Sequence, residues 1–169
     1  SGSPGNGKTV SEFPIIYYFV SFMWKIFGKH DFIFRGINLL IVFTGLYYLF
    51  KFVREFLEDD FWAYYIPILL FTSPVLVFYS NNYLMNAPAL GMVLIGLYQY
   101  WRYYKYGRIG KLYVSMLFFL LAGLLKMTAL ILYLSLFILH FLNFSPWFRN
   151  KISLGKKLKL QEMIPFFLV

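Results

Sequence analysis

Five apolar stretches of about 14 to 20 residues run through this chain, and short segments rich in basic residues separate them. A helix needs about 20 apolar residues to cross a bilayer core, where the backbone must satisfy its own hydrogen bonds. Sixty per cent of the residues are hydrophobic and 14% are charged, which would leave a soluble domain with large exposed apolar patches. The sequence therefore predicts an integral membrane protein with an all-α fold, a polytopic transmembrane helical bundle.

The first apolar segment, residues 14–27, is short for a span and rich in Tyr and Trp, which suit the headgroup region. It predicts a helix that lies in the membrane interface. The chain starts at Ser1 without Met and stops inside another apolar run. We therefore expect residues 1–169 to form a single partial transmembrane domain, in which a first span and a C-terminal part are missing. The predicted spans are 36–50, 61–79, 83–101, 112–125 and 129–144.

Eleven of the sixteen Lys and Arg residues fall in three segments, 51–60, 102–111 and 149–159. Basic loops stay in the cytoplasm, so residues 1–35, the 81–82 turn and Lys126 are predicted on the outer face. This asymmetry also accounts for the net charge of +9. Neither a basic helix nor an RNA-binding motif accompanies the charge, so nucleic acid is not an expected partner. The absence of Cys and the abundance of Phe, Tyr, Ile and Lys suggest a multi-pass protein of a bacterial inner membrane.

Residues 2–9 match the phosphate-loop pattern G-x-x-x-x-G-K-[ST] in full. That loop binds nucleotide when a buried strand delivers it and a helix starts at its lysine. Here no strand precedes the motif, Pro14 falls in the second turn of the required helix, and the segment is predicted outside the cell. The favoured interpretation is a flexible glycine-rich loop.

The predicted outer face gathers polar residues that are costly at membrane depth and usually mark a function. Each has a simpler explanation when taken alone: Glu12 as a solvated acid, Arg35 as a snorkelling cation, Asn86 as a helix cap. Lys126 is harder to explain this way, because no other charge lies within ten residues on either side of it. The full set is Glu12, Lys25, Lys29, His30, Asp31, Arg35, Asn81, Asn82, Asn86 and Lys126.

Together these residues suit a reaction at a lipid-linked phosphate. A carboxylate can take a proton from an acceptor hydroxyl, while Arg and Lys hold a phosphate and stabilise it as it departs. Phosphate is a good leaving group, so no general acid is required. This set of groups fits an enzyme that takes a sugar from a polyprenyl phosphate.

Four short motifs in the chain are similar to those of a known protein family. They are Glu12-Phe13-Pro14 followed by Tyr17-Tyr18, Gly28 followed by Arg35, Asn82 followed by Asn86-Ala87-Pro88, and Gly123-Leu124-Leu125-Lys126. In their order and spacing the chain resembles, over nearly all of its length, the GT-C superfamily of membrane glycosyltransferases. The resemblance is strongest to the protein O-mannosyltransferase-like group, which includes the lipid A aminoarabinose transferases.

The resemblance implies an inverting transferase that moves a sugar from a polyprenyl-phosphate donor to a lipid, glycan or protein acceptor, among membrane lipids. The family's principal catalytic Asp follows the first span, which is absent here, so the piece alone is expected to be inactive and Glu12 would have a supporting role. Arg35 and Lys126 would bind the donor phosphate, and the family usually has Asp where this chain has Asn86. The resemblance leaves open whether a divalent metal takes part. The implied site-lining residues are Tyr17, Tyr18, His30, Asn82 and Asn86.

A transporter or flippase segment is the alternative from another class, since it too buries charge and breaks helices at prolines. A transporter needs polar groups at the span midplanes, whereas stretches such as 39–43 and 117–121 are apolar. The polar residues gather at predicted span ends, which favours an enzyme. A non-catalytic membrane scaffold is the third hypothesis, and Asn86 is its best support.

Overall fold

The computed structural model describes residues 15–28, 30–81, 85–144, 165–166 and 169. Every regular element among these residues is helical, which confirms the all-α prediction. A short 3-10 turn, Met127–Ala129, joins the last two α-helices. The α-helices of the described part are α1 (Ile15–Phe27), α2 (Asp31–Leu57), α3 (Asp60–Phe71), α4 (Pro74–Asn81), α5 (Asn86–Tyr106), α6 (Ile109–Leu125) and α7 (Leu130–Phe144).

Helix α2 is 27 residues long and extends beyond the predicted span 36–50 at both ends. The charged segment after residue 50 continues the helix, because long charged side chains are good helix formers that reach solvent at its end. The helix stops at Glu58, which has a left-handed conformation with φ 55°. Asp59 then caps α3, where its carboxylate accepts a hydrogen bond from the Phe61 amide at 2.8 Å. The predicted turn 51–60 therefore shortens to two residues.

The predicted span 61–79 is a pair of helices, α3 and α4, bent by 63°. Pro74 opens α4, where its missing N–H is not needed, and it prevents α3 from continuing. At the break, the Thr72 hydroxyl donates a hydrogen bond to the Leu69 carbonyl at 3.1 Å and so gives this backbone acceptor a partner. Pro67 lies within α3 and does not break it.

Helices α2 and α5 run parallel and cross closely at two glycines. A Cβ added to Gly45 would lie 2.6 Å from the Cα of Gly91, and one added to Gly91 would lie 2.7 Å from the Ile41 carbonyl oxygen. Such contacts are possible only where both helices lack side chains. Helix α6 returns antiparallel to α5, and the Ser115 hydroxyl donates to the Gly96 carbonyl at 2.8 Å.

The helix ends fall into two groups. At one end, the starts of α2 and α5 and the end of α6 share a buried apolar cluster of Val20, Phe34, Met85, Ala89 and Leu125, and we name this the Lys126 end. At the other, Glu55 near the end of α2 meets Tyr98 and Arg102 near the end of α5, and we name this the Glu55 end. The alternation of ends along the chain is the one that the sequence analysis predicted. Which end faces the cytoplasm stays a prediction.

Length and composition identify one helix of the described part, Phe32–Leu57, as able to cross a membrane. The bent pair Asp60–Phe71 and Pro74–Ser80 passes the same test if it is counted as one span. Residues 109–125 and 127–142 form shorter apolar helices. The helices thus supply one or two spans by this criterion, fewer than the five predicted. The interfacial position of α1, whose Val20 packs into the bundle, stays a prediction.

Candidate functional site

A cavity of about 340 Å³ opens at the Lys126 end. It lies between the start of α5 and the segment that joins α6 to α7. Its polar wall comes from Asn86, Lys126 and Thr128. Its apolar wall is formed by Ala89, Leu90, Val93, Ala129, Ile131 and Leu132.

Lys126 reaches this cavity because α6 ends immediately before it. Lys126 has an extended backbone, and its carbonyl accepts from the Ala129 amide at 2.9 Å, which starts the 3-10 turn. Gly123 leaves room for the Leu130 side chain, since a Cβ there would lie 2.5 Å from Cδ2 of Leu130. The glycine lets Leu130 fold back over α6, and the lysine is left half-buried at the cavity.

Asn86 is the first residue of α5. Pro88, two residues later, is buried and has no N–H, which the first turn of a helix tolerates. The side-chain Oδ1 of Asn86 is buried and has no hydrogen-bond partner among the described residues. An unpaired buried carbonyl costs about 1–3 kcal/mol, a cost that a hydrogen-bond donor on a ligand would remove. The helix start also carries a partial positive charge that attracts anions.

Three of the candidate polar residues directly follow a member of the apolar cluster at the Lys126 end. Arg35 follows Phe34, and Lys126 follows Leu125; Asn86 likewise follows Met85. Asn86 and Lys126 line the same cavity, whereas Arg35 is exposed at this end and is not part of the cavity wall. The structure thus brings Lys126, a predicted phosphate ligand, and Asn86, a predicted lining residue, to one cavity. It places Arg35, the other predicted phosphate ligand, at the same end but outside the cavity wall.

The carboxylates of the described residues are distributed unevenly. Asp31 starts α2 at the Lys126 end, and the others are at the Glu55 end. The carboxylates at that second end are Glu55, Glu58, Asp59 and Asp60. The cavity therefore combines a lysine and a helix start with few described negative charges, an arrangement that favours an anion.

His30 and Tyr18 are exposed and do not line the cavity. Gly28, with φ 86°, ends α1, and the Trp24 indole donates to the His30 carbonyl at 3.1 Å. These contacts fix the corner between α1 and α2 through the backbone of His30. Its imidazole lies beside the Phe32 ring, with ring centres 5.6 Å apart and planes inclined by 30°.

The remaining predicted site residues lie outside what the structure describes. They are Glu12 and Asn82, together with the side chain of Tyr17. Within the described ranges, no group of three or more His, Asp or Glu residues is placed to hold a metal ion.

The sequence analysis did not name two polar residues that lie at this end. Thr128 lines the cavity, and its position two residues after Lys126 in an apolar run was the available signal. Asn38 is fully buried one helical turn after Phe34. The available signal for Asn38 was its place as a polar residue within the predicted span 36–50, because polar groups buried in membranes are rare.

With this geometry in view, the comparison with protein families gives the class. The chain matches the family of dolichyl-phosphate-mannose-protein mannosyltransferases over residues 11–168 and belongs to that family. It is therefore a membrane protein of a glycosyltransferase family, as the sequence motifs predicted. Neither the search of curated proteins nor the search of solved structures gave a match.

Proposed function

We propose that the protein transfers a sugar from a polyprenyl-phosphate donor to an acceptor on the outer face of the membrane, with inversion. The observation that carries this proposal is the cavity that joins Lys126, Asn86 and the start of α5. A lysine, a helix start and an amide form a site suited to a phosphate that gains charge as the sugar leaves. Family membership supports the sugar transfer.

In the proposed reaction, the acceptor oxygen forms a bond to the anomeric carbon while the bond from that carbon to the donor phosphate oxygen breaks. The phosphate keeps the bonding electron pair, and the ammonium of Lys126 neutralises the charge that develops there. Arg35, exposed at the same end, would approach the phosphate from the membrane side. The acceptor proton passes to a carboxylate, and we assign Glu12 a supporting role in this step.

Asn86 would orient the donor. Its buried Oδ1 is an acceptor, so it would take a hydrogen bond from a sugar hydroxyl, while the positive start of α5 faces the phosphate. Tyr17, Tyr18, His30 and Asn82 are proposed as more distant lining residues.

The test replaces Lys126 by Met in the full-length protein, which is reconstituted in vesicles with a polyprenyl-phosphate sugar. Loss of one group that stabilises developing charge lowers turnover by about a hundredfold or more. Lys111→Met is the matched control, because Lys111 is half-buried near the opposite end of α6. Equal turnover in the Lys126→Met variant and the wild type would refute the assignment.

A second variant tests the acid. Glu12→Gln keeps the size of the side chain and removes its charge, so turnover should fall strongly while binding of the donor is maintained. Turnover at the wild-type level would show that Glu12 has no part in the reaction.

A further inference from the structure

We propose a binding site for one bilayer phospholipid in the groove between α2 and α3, with the lipid phosphate on Lys51 and an acyl chain in the groove. This site is separate from the cavity at the Lys126 end. It depends on the membrane location of the family and not on the proposed reaction.

The groove has a volume of about 450 Å³. Two ring pairs lie along it: Phe43 with Phe71, 5.1 Å between centres, and Phe50 with Tyr64, 4.9 Å. The side chain of Ala63, fully buried on α3, belongs to its wall. The lining is almost wholly apolar, so a hydrocarbon chain is the ligand that it fits best.

Lys51 lies at one end of this groove, where it is half-buried. Lys51 lies one turn after Tyr47, a lining residue, and its Nζ is 4.7 Å from the centre of the Tyr47 ring. Among the described residues, the two ion pairs near Lys51 join other groups: Glu55 pairs with Arg102, and Asp60 pairs with Arg54. The ammonium is therefore placed to meet a negative group from outside the chain.

The groove extends along α2 over a distance close to the thickness of one leaflet, where an acyl chain lies. Lys51 and Phe43 are separated by about 12 Å along α2, at about 1.5 Å per residue. The hydrocarbon layer of one leaflet is about 15 Å thick, half of a bilayer core. A phospholipid with its phosphate on Lys51 thus has its chain at the level of the groove. The charge at one end and the apolar wall below it distinguish this lipid site from an ordinary lipid-facing surface.

The test uses the full-length protein in phosphatidylcholine vesicles that contain a small fraction of phosphatidylglycerol with a diazirine on its acyl chain. Illumination attaches the chain to the residues that it touches, and peptide mass spectrometry locates the attachment. We expect labels concentrated on Phe43, Tyr47, Tyr64 and Ile68. Labels spread evenly over other exposed apolar residues, such as Phe22 and Phe141, would overturn the proposal.

Two matched pairs of variants separate charge from shape. Lys51→Met should lower labelling of the groove about fivefold, the contribution expected of one basic residue at a membrane surface. Lys105→Met should leave it unchanged, although Lys105 also lies over a tyrosine ring, at 5.9 Å from the centre of Tyr106. Equal labelling of the wild type and the Lys51→Met variant would refute the role of the charge.

The second pair fills the groove. Ile68→Trp should reduce labelling by a similar factor, because Ile68 lines the groove. Leu69→Trp should have no effect, since Leu69 is equally exposed on α3 but is not part of the wall. Labelling that survives Ile68→Trp would contradict the proposed position of the chain.

Two other ligands could occupy the groove, a second copy of the chain or the donor lipid, and each would give a different experimental result. Residues 1–169 contain no Cys, so Ile68→Cys adds a thiol at a known position, and dimers linked through Cys at position 68 would place a second copy on the groove. Competition of the label by unlabelled polyprenyl phosphate would assign the groove to the donor lipid. Either result overturns the phospholipid site, and neither affects the Lys126→Met test of the proposed reaction.

Discussion

The two ends of the helical bundle use charged and polar groups in different ways. At the Glu55 end, charges meet within the chain: Arg54 with Asp60 at 2.7 Å, and Glu55 with Arg102 at 3.3 Å. At the Lys126 end, Lys126 and the buried Oδ1 of Asn86 face a cavity. The two ion pairs join α2 to α3 and to α5, whereas Lys126 and Asn86 are residues of the proposed donor site. Variants at each end should therefore affect different measurements.

The largest expected effect comes from Gly45→Ala, which would disrupt both ends by separating α2 from α5. The new Cβ would meet backbone atoms of Gly91 at 2.6–3.0 Å, which side-chain rotation cannot relieve. We expect the free energy of unfolding to fall by about 1–3 kcal/mol, with a matching loss of activity. Thermal unfolding in detergent measures the change in stability, and the transfer assay measures the loss of activity.

The control for this variant is Gly36→Ala on the same helix, where nothing lies within 4 Å of an added Cβ. It should raise the stability by about 0.5 kcal/mol, because alanine favours the helix. Equal effects at the two positions would mean that the close crossing does not limit the packing.

Asn86→Ala should separate stability from function. It removes a buried carbonyl that has no partner among the described residues, so the free energy of unfolding should stay constant or rise. The KM for the donor should increase up to about tenfold, the loss expected for one hydrogen bond to a sugar hydroxyl. Measuring both in one preparation is decisive, since a drop in stability with unchanged KM would make Asn86 a structural residue.

A smaller effect is expected at the other end from Glu55→Gln. This change weakens the acceptor for Tyr98, which donates at 2.8 Å, and removes the partner of Arg102. Both side chains of the ion pair are partly exposed, so solvent screening limits the loss to about 1 kcal/mol. The KM for the donor should not change. Glu58→Gln, at an exposed position beyond the helix, is the control and should affect neither quantity.

The smallest effect is expected from Arg54→Met. Its ion pair with Asp60 has side chains that are 58% and 66% exposed, so water and salt screen it. The change in unfolding free energy should be about 0.5 kcal/mol or less. If the unfolding free energy falls as much as in Glu55→Gln, solvent exposure does not determine how much each ion pair at this end stabilises the protein.

The helical fold could be predicted from the sequence, because apolar runs alternate regularly with polar segments. The sequence also predicts one face for Arg35, Asn86 and Lys126; the structure brings Asn86 and Lys126 to one cavity, and the roles of all three stay predictions. The sequence does not predict that α2 continues to Leu57, because charged residues suit both a polar turn and a helix. Nor does it predict the bend at Pro74, because a proline in an apolar run either kinks a helix or starts one. The exclusion of Arg35 from the cavity wall depends on how helices rotate against each other. That rotation is set by Gly45 and Gly91, whose contact joins residues far apart in the chain.

The bend between α3 and α4 has a consequence for the surrounding membrane. Twelve residues of α3 extend about 18 Å, and the eight of α4, inclined by 63°, add about 5 Å along the same direction. The total of about 23 Å is shorter than a hydrocarbon core of about 30 Å. Where α3 and α4 cross the membrane as one span, hydrophobic mismatch thins the bilayer beside them. The hydrocarbon layer that a polar group must cross is then thinner beside this pair than beside the longer helix α2.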